Sequence, residues 1–216
     1  MNLLIVTQSV DKNDPVLGFF HGWLNEFAKR ARLLTIICLR EGEHSLPQNA
    51  RVLSLGKESG RSRIEYFFRF YKYIWRERKN YDSVFVHMNP EYVVIGGFFW
   101  RFLGKKIILW YTHRQVTPIL RIATLLAHEI LSATPQSFRI KTDKVSFVGH
   151  GISIKDFSND LPLSRKFQTP VRLLSVGRVT PIKNLDVLID AVSELRVKGI
   201  MANLSIAGGA TVPSDI

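Results

Sequence analysis

Residues 171–192 read VRLLSVGRVTPIKNLDVLIDAV, and this stretch decides the fold. Residues 171–176 are mostly apolar and read as a strand. Gly177 lets the chain turn tightly, and a helix with spaced Leu, Ile and Ala is expected from about residue 184 to 198. A second strand, residues 203–207, ends in Gly208-Gly209. Strand, helix and strand form one parallel β–α–β unit.

Working outward, the same alternation fills the upstream chain. Strands are expected at residues 2–7, 33–39, 51–55, 82–87, 106–111, 129–133 and 145–148. Helices are expected at 18–32, 61–79, from Asn89-Pro90-Glu91 onward, and at 118–127. Asn89 can cap, Pro90 suits the first helical position, and Glu91 complements the dipole. Near-continuous apolar strands separated by helices mean a parallel sheet covered on both faces, a doubly wound (Rossmann-like) α/β layout. Residues 152–170 (ISIKDFSNDLPLSRKFQTP) are polar and aperiodic and read as an interdomain linker. The expected organisation is therefore a first domain over 1–151, a linker over 152–170, and the start of a second Rossmann-like domain over 171–216. About 46 residues are too few for an independent doubly wound domain. The chain is expected to continue, or the piece to dock on the first domain.

The 216 residues, 46% hydrophobic and 22% charged, suit one domain of about 150 residues plus a remainder. No apolar run approaches the ~20 residues of a bilayer span. The opening MNLLIVT lacks a basic leader and fits a buried strand, so a cytoplasmic protein is expected. Cys38 is the single cysteine, which excludes a disulfide framework. The net charge of +12 favours an anionic partner. Nucleic acid is not expected, because no zinc-finger, RNA-recognition or helix-turn-helix signature is present.

In open parallel sheets ligands bind beyond the carboxyl ends of the strands. There the sequence places Gly177, Arg178 and Lys183 just ahead of a helix N-terminus, which itself favours anions. Arg grips a diphosphate bidentately, and Lys adds a mobile charge. A pair of solvated surface cations is the plain alternative. His87 ends a strand and His113 follows one. The six histidines show no metal-ligand spacing, and no metal site is expected.

The stretch from Val171 to Val192 resembles the phosphate-binding motif of the family 4 glycosyltransferases, enzymes of the two-Rossmann-domain GT-B type. Their form is an apolar strand, Gly-Arg, three residues, Lys-Gly, then a helix; Asn184 stands here where Gly is usual. The resemblance implies that Gly177, Arg178 and Lys183 hold the diphosphate of a nucleotide sugar. It implies transfer to a hydroxyl acceptor, with a lipid-linked one among the options, with retention of configuration, no cofactor and no metal. It implies a catalytic role for His113 beside the sugar. It likens Gly18 to one glycine of a Gly-Gly pair whose N–H groups face a phosphate, although Phe19 fills the second place. His150-Gly151-Ile152 resembles a hinge, with Ser153 in place of Asp. The family's Glu-x7-Glu motif would fall beyond Ile216, so the chain alone is expected to be inactive. Glycolipid or surface-polysaccharide synthesis is the implied setting. The competing readings are a non-catalytic truncated remnant that binds an anionic membrane or a protein partner, and a sugar-nucleotide epimerase of similar architecture.

Residues 61–79 (RSRIEYFFRFYKYIWRERK) have the composition of an interfacial membrane helix. They also suit a covering helix whose basic side chains snorkel over apolar surface. The expected packed face is Ile64, Phe67, Phe68, Tyr71, Ile74 and Trp75. Tyr66, Phe70 and Tyr73 are then left outside to meet anionic lipid at the inner face of the membrane.

Overall fold

β1 (Asn2–Val10) is the hub of the first sheet, because Leu3 to Val6 are buried without interruption. A strand apolar on both faces must have cover on both. β1 pairs in parallel with β2 (Leu33–Glu41) on one side and with β4 (Ser83–His87) on the other. β3 (Ala50–Ser54) extends the sheet beyond β2. β5 (Lys106–Trp110), β6 (Glu129–Ser132) and β7 (Val145–Phe147) extend it beyond β4. The order is β3-β2-β1-β4-β5-β6-β7, parallel throughout. This computed structural model describes residues 1–152 and 169–209. Most of the expected linker, with Ser153, lies outside the described residues.

The chain divides into two compact units, Met1–Asp156 and Phe157–Ile216. In the first, α1 (Gly18–Arg30) packs Phe20, Leu24 and Ala28 onto one face of the sheet, with Ile5, Ile36 and Phe85 beneath. On the other face lie α2 (Arg63–Arg76), α3 (Pro90–Phe102) and α4 (Pro118–Leu126). They bury Phe70, Ile74, Val93, Trp100, Leu120 and Ala123 against Leu4, Val86 and Leu109. This is the expected doubly wound α/β fold, with element ends shifted by a few residues.

Two local expectations are corrected. Asn89 precedes α3, but its side chain makes no cap. Its amide donates to the His87 carbonyl instead. Pro90 does occupy the first turn.

The second correction turns the packed face of α2: Ile74 is buried and Tyr71 half-buried as expected, but the other four are replaced by Phe70 and Tyr73. In α2 the buried residues are Phe70, Tyr73 and Ile74. Ile64, Phe67, Phe68 and Trp75 are exposed, at 69%, 46%, 67% and 57%. Both stripes are apolar, so periodicity alone could not rank them. The choice falls to the sheet. The Tyr73 hydroxyl reaches the Ser54 carbonyl at 3.1 Å, and Phe70 fits edge-on against Trp100 of α3. A capping box of Ser62 and Glu65 starts the helix.

The second unit holds β8 (Val171–Val176) paired in parallel with β9 (Ala202–Ala207) and joined by α5 (Leu185–Val197). Among its described residues only Thr180, Val192 and Ala202 are buried. Leu174, Val176, Val187 and Ile189 are exposed.

Candidate functional site

The strand order turns back between β1 and β4, and the crevice at such a switch point is where open α/β sheets take ligands. The ends of these two strands are tied together there. His87, the last residue of β4, shares a 3.2 Å hydrogen bond between its Nδ1 and Thr7 Oγ1 of β1. Its ring stacks on Phe20 of α1, 3.8 Å between centroids and 12° from parallel. Burial, with a smaller contribution from nearby His150, lowers its pKa to about 3. The imidazole is therefore neutral at ordinary pH. Met88, next along, sits at φ 63°. A non-glycine residue pays about 1–2 kcal/mol for that left-handed conformation. Its thioether Sδ accepts the Thr112 N–H from the neighbouring loop at 3.4 Å.

The rim of this edge is aromatic. His150 lies 5.3 Å from the Phe19 ring, 5.3 Å from Trp23 and 5.9 Å from Trp110. The Trp23 indole N–H donates to the Gly151 carbonyl at 2.9 Å. The sequence marked His150 and Gly151 as a hinge; in the fold they are seated against α1. Sequence reasoning missed this cluster, whose members lie far apart in the chain. The one signal available was that His87, Trp110 and His150 all follow or end strands.

Gly18 is the first residue of α1, and its N–H donates to the Asp14 carbonyl at 2.9 Å. A Cβ there would stand 2.9 Å from the Lys12 carbonyl oxygen. In this arrangement the glycine's contribution is steric, a close passage of two backbone segments. His113 is exposed in the loop after β5. Its Nδ1 accepts the Gln115 N–H at 3.1 Å, which makes Nε2 the N–H donor of the neutral ring. His113 and His87 occupy the same edge, since β4 and β5 are neighbours in register. A cleft of about 510 Å³ opens nearby, lined by Gln8, Leu39, Lys57, Arg63, Tyr66 and Glu91 among others.

In the second unit two glycine loops are laced together at the carboxyl ends of β8 and β9. The Gly177 N–H donates to Ala207 O at 3.0 Å, and the Val179 N–H to Gly209 O at 3.2 Å. A Cβ on Gly208, at φ 150°, would overlap the Gly177 carbonyl oxygen. Arg178 and Lys183 are both exposed in this loop. The Lys183 Cε lies 3.8 Å from where a Gly177 Cβ would be, so its side chain runs back over the glycine turn. Asn184, at φ 48° and ψ 48°, is left-handed and precedes α5. Asn tolerates that region better than most residues, which accounts for Asn where the resembling motif has Gly. Gly177, Arg178 and Lys183 are thus brought to one βα junction, as the sequence expected. Among the described residues no three His, Cys, Asp or Glu side chains gather as a metal-binding group.

No family model matches the chain, and neither does any curated protein sequence. Solved structures do match. Anabaena HepE, solved in complex with UDP, superposes with a TM-score of 0.64 at 13% identity, over 99% of this chain and 71% of that one. The UDP-GlcNAc 2-epimerase of Methanocaldococcus jannaschii gives 0.51 at 13% identity, over 95% and 66%. Acinetobacter baumannii MurG gives 0.52 at 12% identity, over 96% and 60%. At such identities the likeness is one of fold: a GT-B-like architecture of Rossmann-like units. This chain spans about two thirds of the length of those proteins.

Proposed function

We propose that this chain belongs to a nucleotide-sugar-dependent glycosyltransferase related to family 4, with Met1–Asp156 serving the acceptor and Phe157–Ile216 beginning the donor-binding part. The observation that carries the reading is the Gly177–Lys183 junction. Its laced glycine loops bring two cationic side chains to the carboxyl end of β8, ahead of the α5 N-terminus. The likeness to HepE, which was solved with UDP, supports a uridine diphosphate donor.

In the proposed reaction the bond between the anomeric carbon and the diphosphate oxygen breaks, an acceptor hydroxyl oxygen takes its place with retention, and the hydroxyl proton passes to the leaving diphosphate. The leaving diphosphate gains negative charge as that bond lengthens. Arg178 and Lys183 meet this charge, and the helix dipole adds to them. The His113 Nε2–H is a hydrogen-bond donor for a sugar hydroxyl. We extend the reading to a lipid-linked hydroxyl acceptor, which places the protein peripherally at the cytoplasmic face of a membrane.

The structural likeness to a UDP-GlcNAc 2-epimerase favours a second reading, isomerisation of the sugar nucleotide itself. One assay separates the two. Incubation of the protein, in its longest natural form, with UDP-sugars and hydroxyl acceptors should release UDP only when an acceptor is present. Release or isomerisation without acceptor supports the epimerase, and no UDP binding by calorimetry removes both readings.

A further inference from the structure

The turned face of α2 leaves a surface that the fold does not use. Ile64, Phe67, Phe68 and Trp75 form an exposed stripe along the helix. It continues onto α3, since Trp75 contacts the Phe99 ring at 5.9 Å and the Tyr71 hydroxyl donates to the Ile95 carbonyl. On α3 itself Phe98 and Phe102 are exposed, the latter at 88%. On α4, Ile122 and Leu125 are exposed as well. All three helices cover the same face of one sheet, so these side chains belong to one outer layer. Apolar surface gathered in this way marks an interaction site rather than scattered exposure.

The charge around the layer is one-sided. Arg63, Lys72, Lys79 and Arg121 are exposed and have no ion-pair partner among the described residues. Arg78 lies over the Trp75 ring at 4.1 Å, holding cation and aromatic together. α4 has no acidic residue, and α3 has only Glu91, in its first turn. On α2, Glu65 is engaged by Ser62 and Arg61.

We infer that the outer layer of α2, α3 and α4 docks on an anionic lipid bilayer. Apolar and aromatic side chains enter the headgroup–acyl boundary while the cations meet lipid phosphates. Among the described residues no helix is long and apolar enough to cross a membrane, and the mode is surface contact. The positive rim selects a lipid surface over a second copy of the same chain, whose identical rim would repel it. The inference stands on the first unit alone and holds whether or not sugar is transferred.

The test is co-sedimentation of the full chain with vesicles of phosphatidylcholine alone, or of phosphatidylcholine mixed with phosphatidylglycerol. Binding to the mixed vesicles should exceed binding to neutral ones by about tenfold or more and should weaken as salt rises. Phe68→Ser with Phe102→Ser, and separately Lys72→Glu with Arg121→Glu, should each lower it by about tenfold with circular dichroism unchanged. Equal binding to both vesicle types, binding to neither, or variants that bind as well as wild type overturn the inference. So does a dimer that the Phe68→Ser, Phe102→Ser variant dissolves. UDP calorimetry on the same samples reports separately on the donor site.

Discussion

Gly208 lies so close against Gly177 that a Cβ on the first would overlap the carbonyl oxygen of the second. The contact joins the ends of β8 and β9 and sets the backbone beneath Arg178. Gly208→Ala should therefore open the loop pair, speeding amide exchange at Val179, whose N–H bonds Gly209 O. The cost should be about 1–3 kcal/mol, the scale of clash and backbone strain. Gly209 has open space around its Cβ position, and Gly209→Ala is the matched control. Equal exchange at Val179 in both variants would remove the loop pair as a structural element.

Arg178→Ala and Lys183→Ala should each weaken UDP binding by about 1.5–3 kcal/mol, the range of hydrogen bonds to charged groups. Arg178→Lys should recover only part of the loss, because an ammonium cannot grip a diphosphate bidentately. Titration calorimetry checks both. Unchanged affinity in the two alanine variants refutes the donor assignment.

His87 predicts an acid sensitivity with a defined sign. Its folded pKa is about 3 against 6.5 for the free side chain. The unfolded chain then binds the extra proton first. Stability is fully present above pH 6.5 and declines as pH falls from there towards 3. Between pH 7 and pH 5 this one group should remove about 2 kcal/mol. His87→Gln should show a shallower loss over that interval by denaturant melts. His21 and His128 also have lowered pKa values, and the difference between variant and wild type isolates His87. An identical pH slope in both proteins would show that the ring is not held neutral.

The two stripes of α2 should respond differently to truncation. Phe70→Ala removes a fully buried ring and should cost about 3–5 kcal/mol. Phe68→Ala, at an exposed position, should stay within about 0.5 kcal/mol of wild type. Chemical denaturation of the two variants decides which face packs.

How far the sequence could be read depended on the kind of information each feature needs. The strands were legible because β1, β2 and β4 carry near-continuous apolar runs, the pattern of a parallel sheet covered on both sides. The Gly177–Lys183 junction was legible because its parts are consecutive, whereas the left-handed backbone of Asn184 came from the structure. The face of α2 was not. Ile64, Phe67 and Phe68 are as apolar as Phe70 and Ile74, and the decision lay in what Ser54 and Trp100 presented across the sheet. The His87 cluster was invisible for another reason. Thr7, Phe20, Trp110 and His150 are distant in sequence and meet only when parallel pairing brings four strand ends to one edge.

The amino-acid sequence by itself determined a doubly wound α/β unit and a glycine-rich basic loop between a strand and a helix. Hydrophobic periodicity and turn chemistry act locally and leave their mark on neighbouring residues. Only the tertiary structure decided that burial against Phe20 keeps His87 neutral, that Gly208 seals against Gly177, and that α2 turns its second aromatic stripe outward. Those outcomes depend on desolvation and close packing between distant segments. Such effects have no magnitude until the chain has folded.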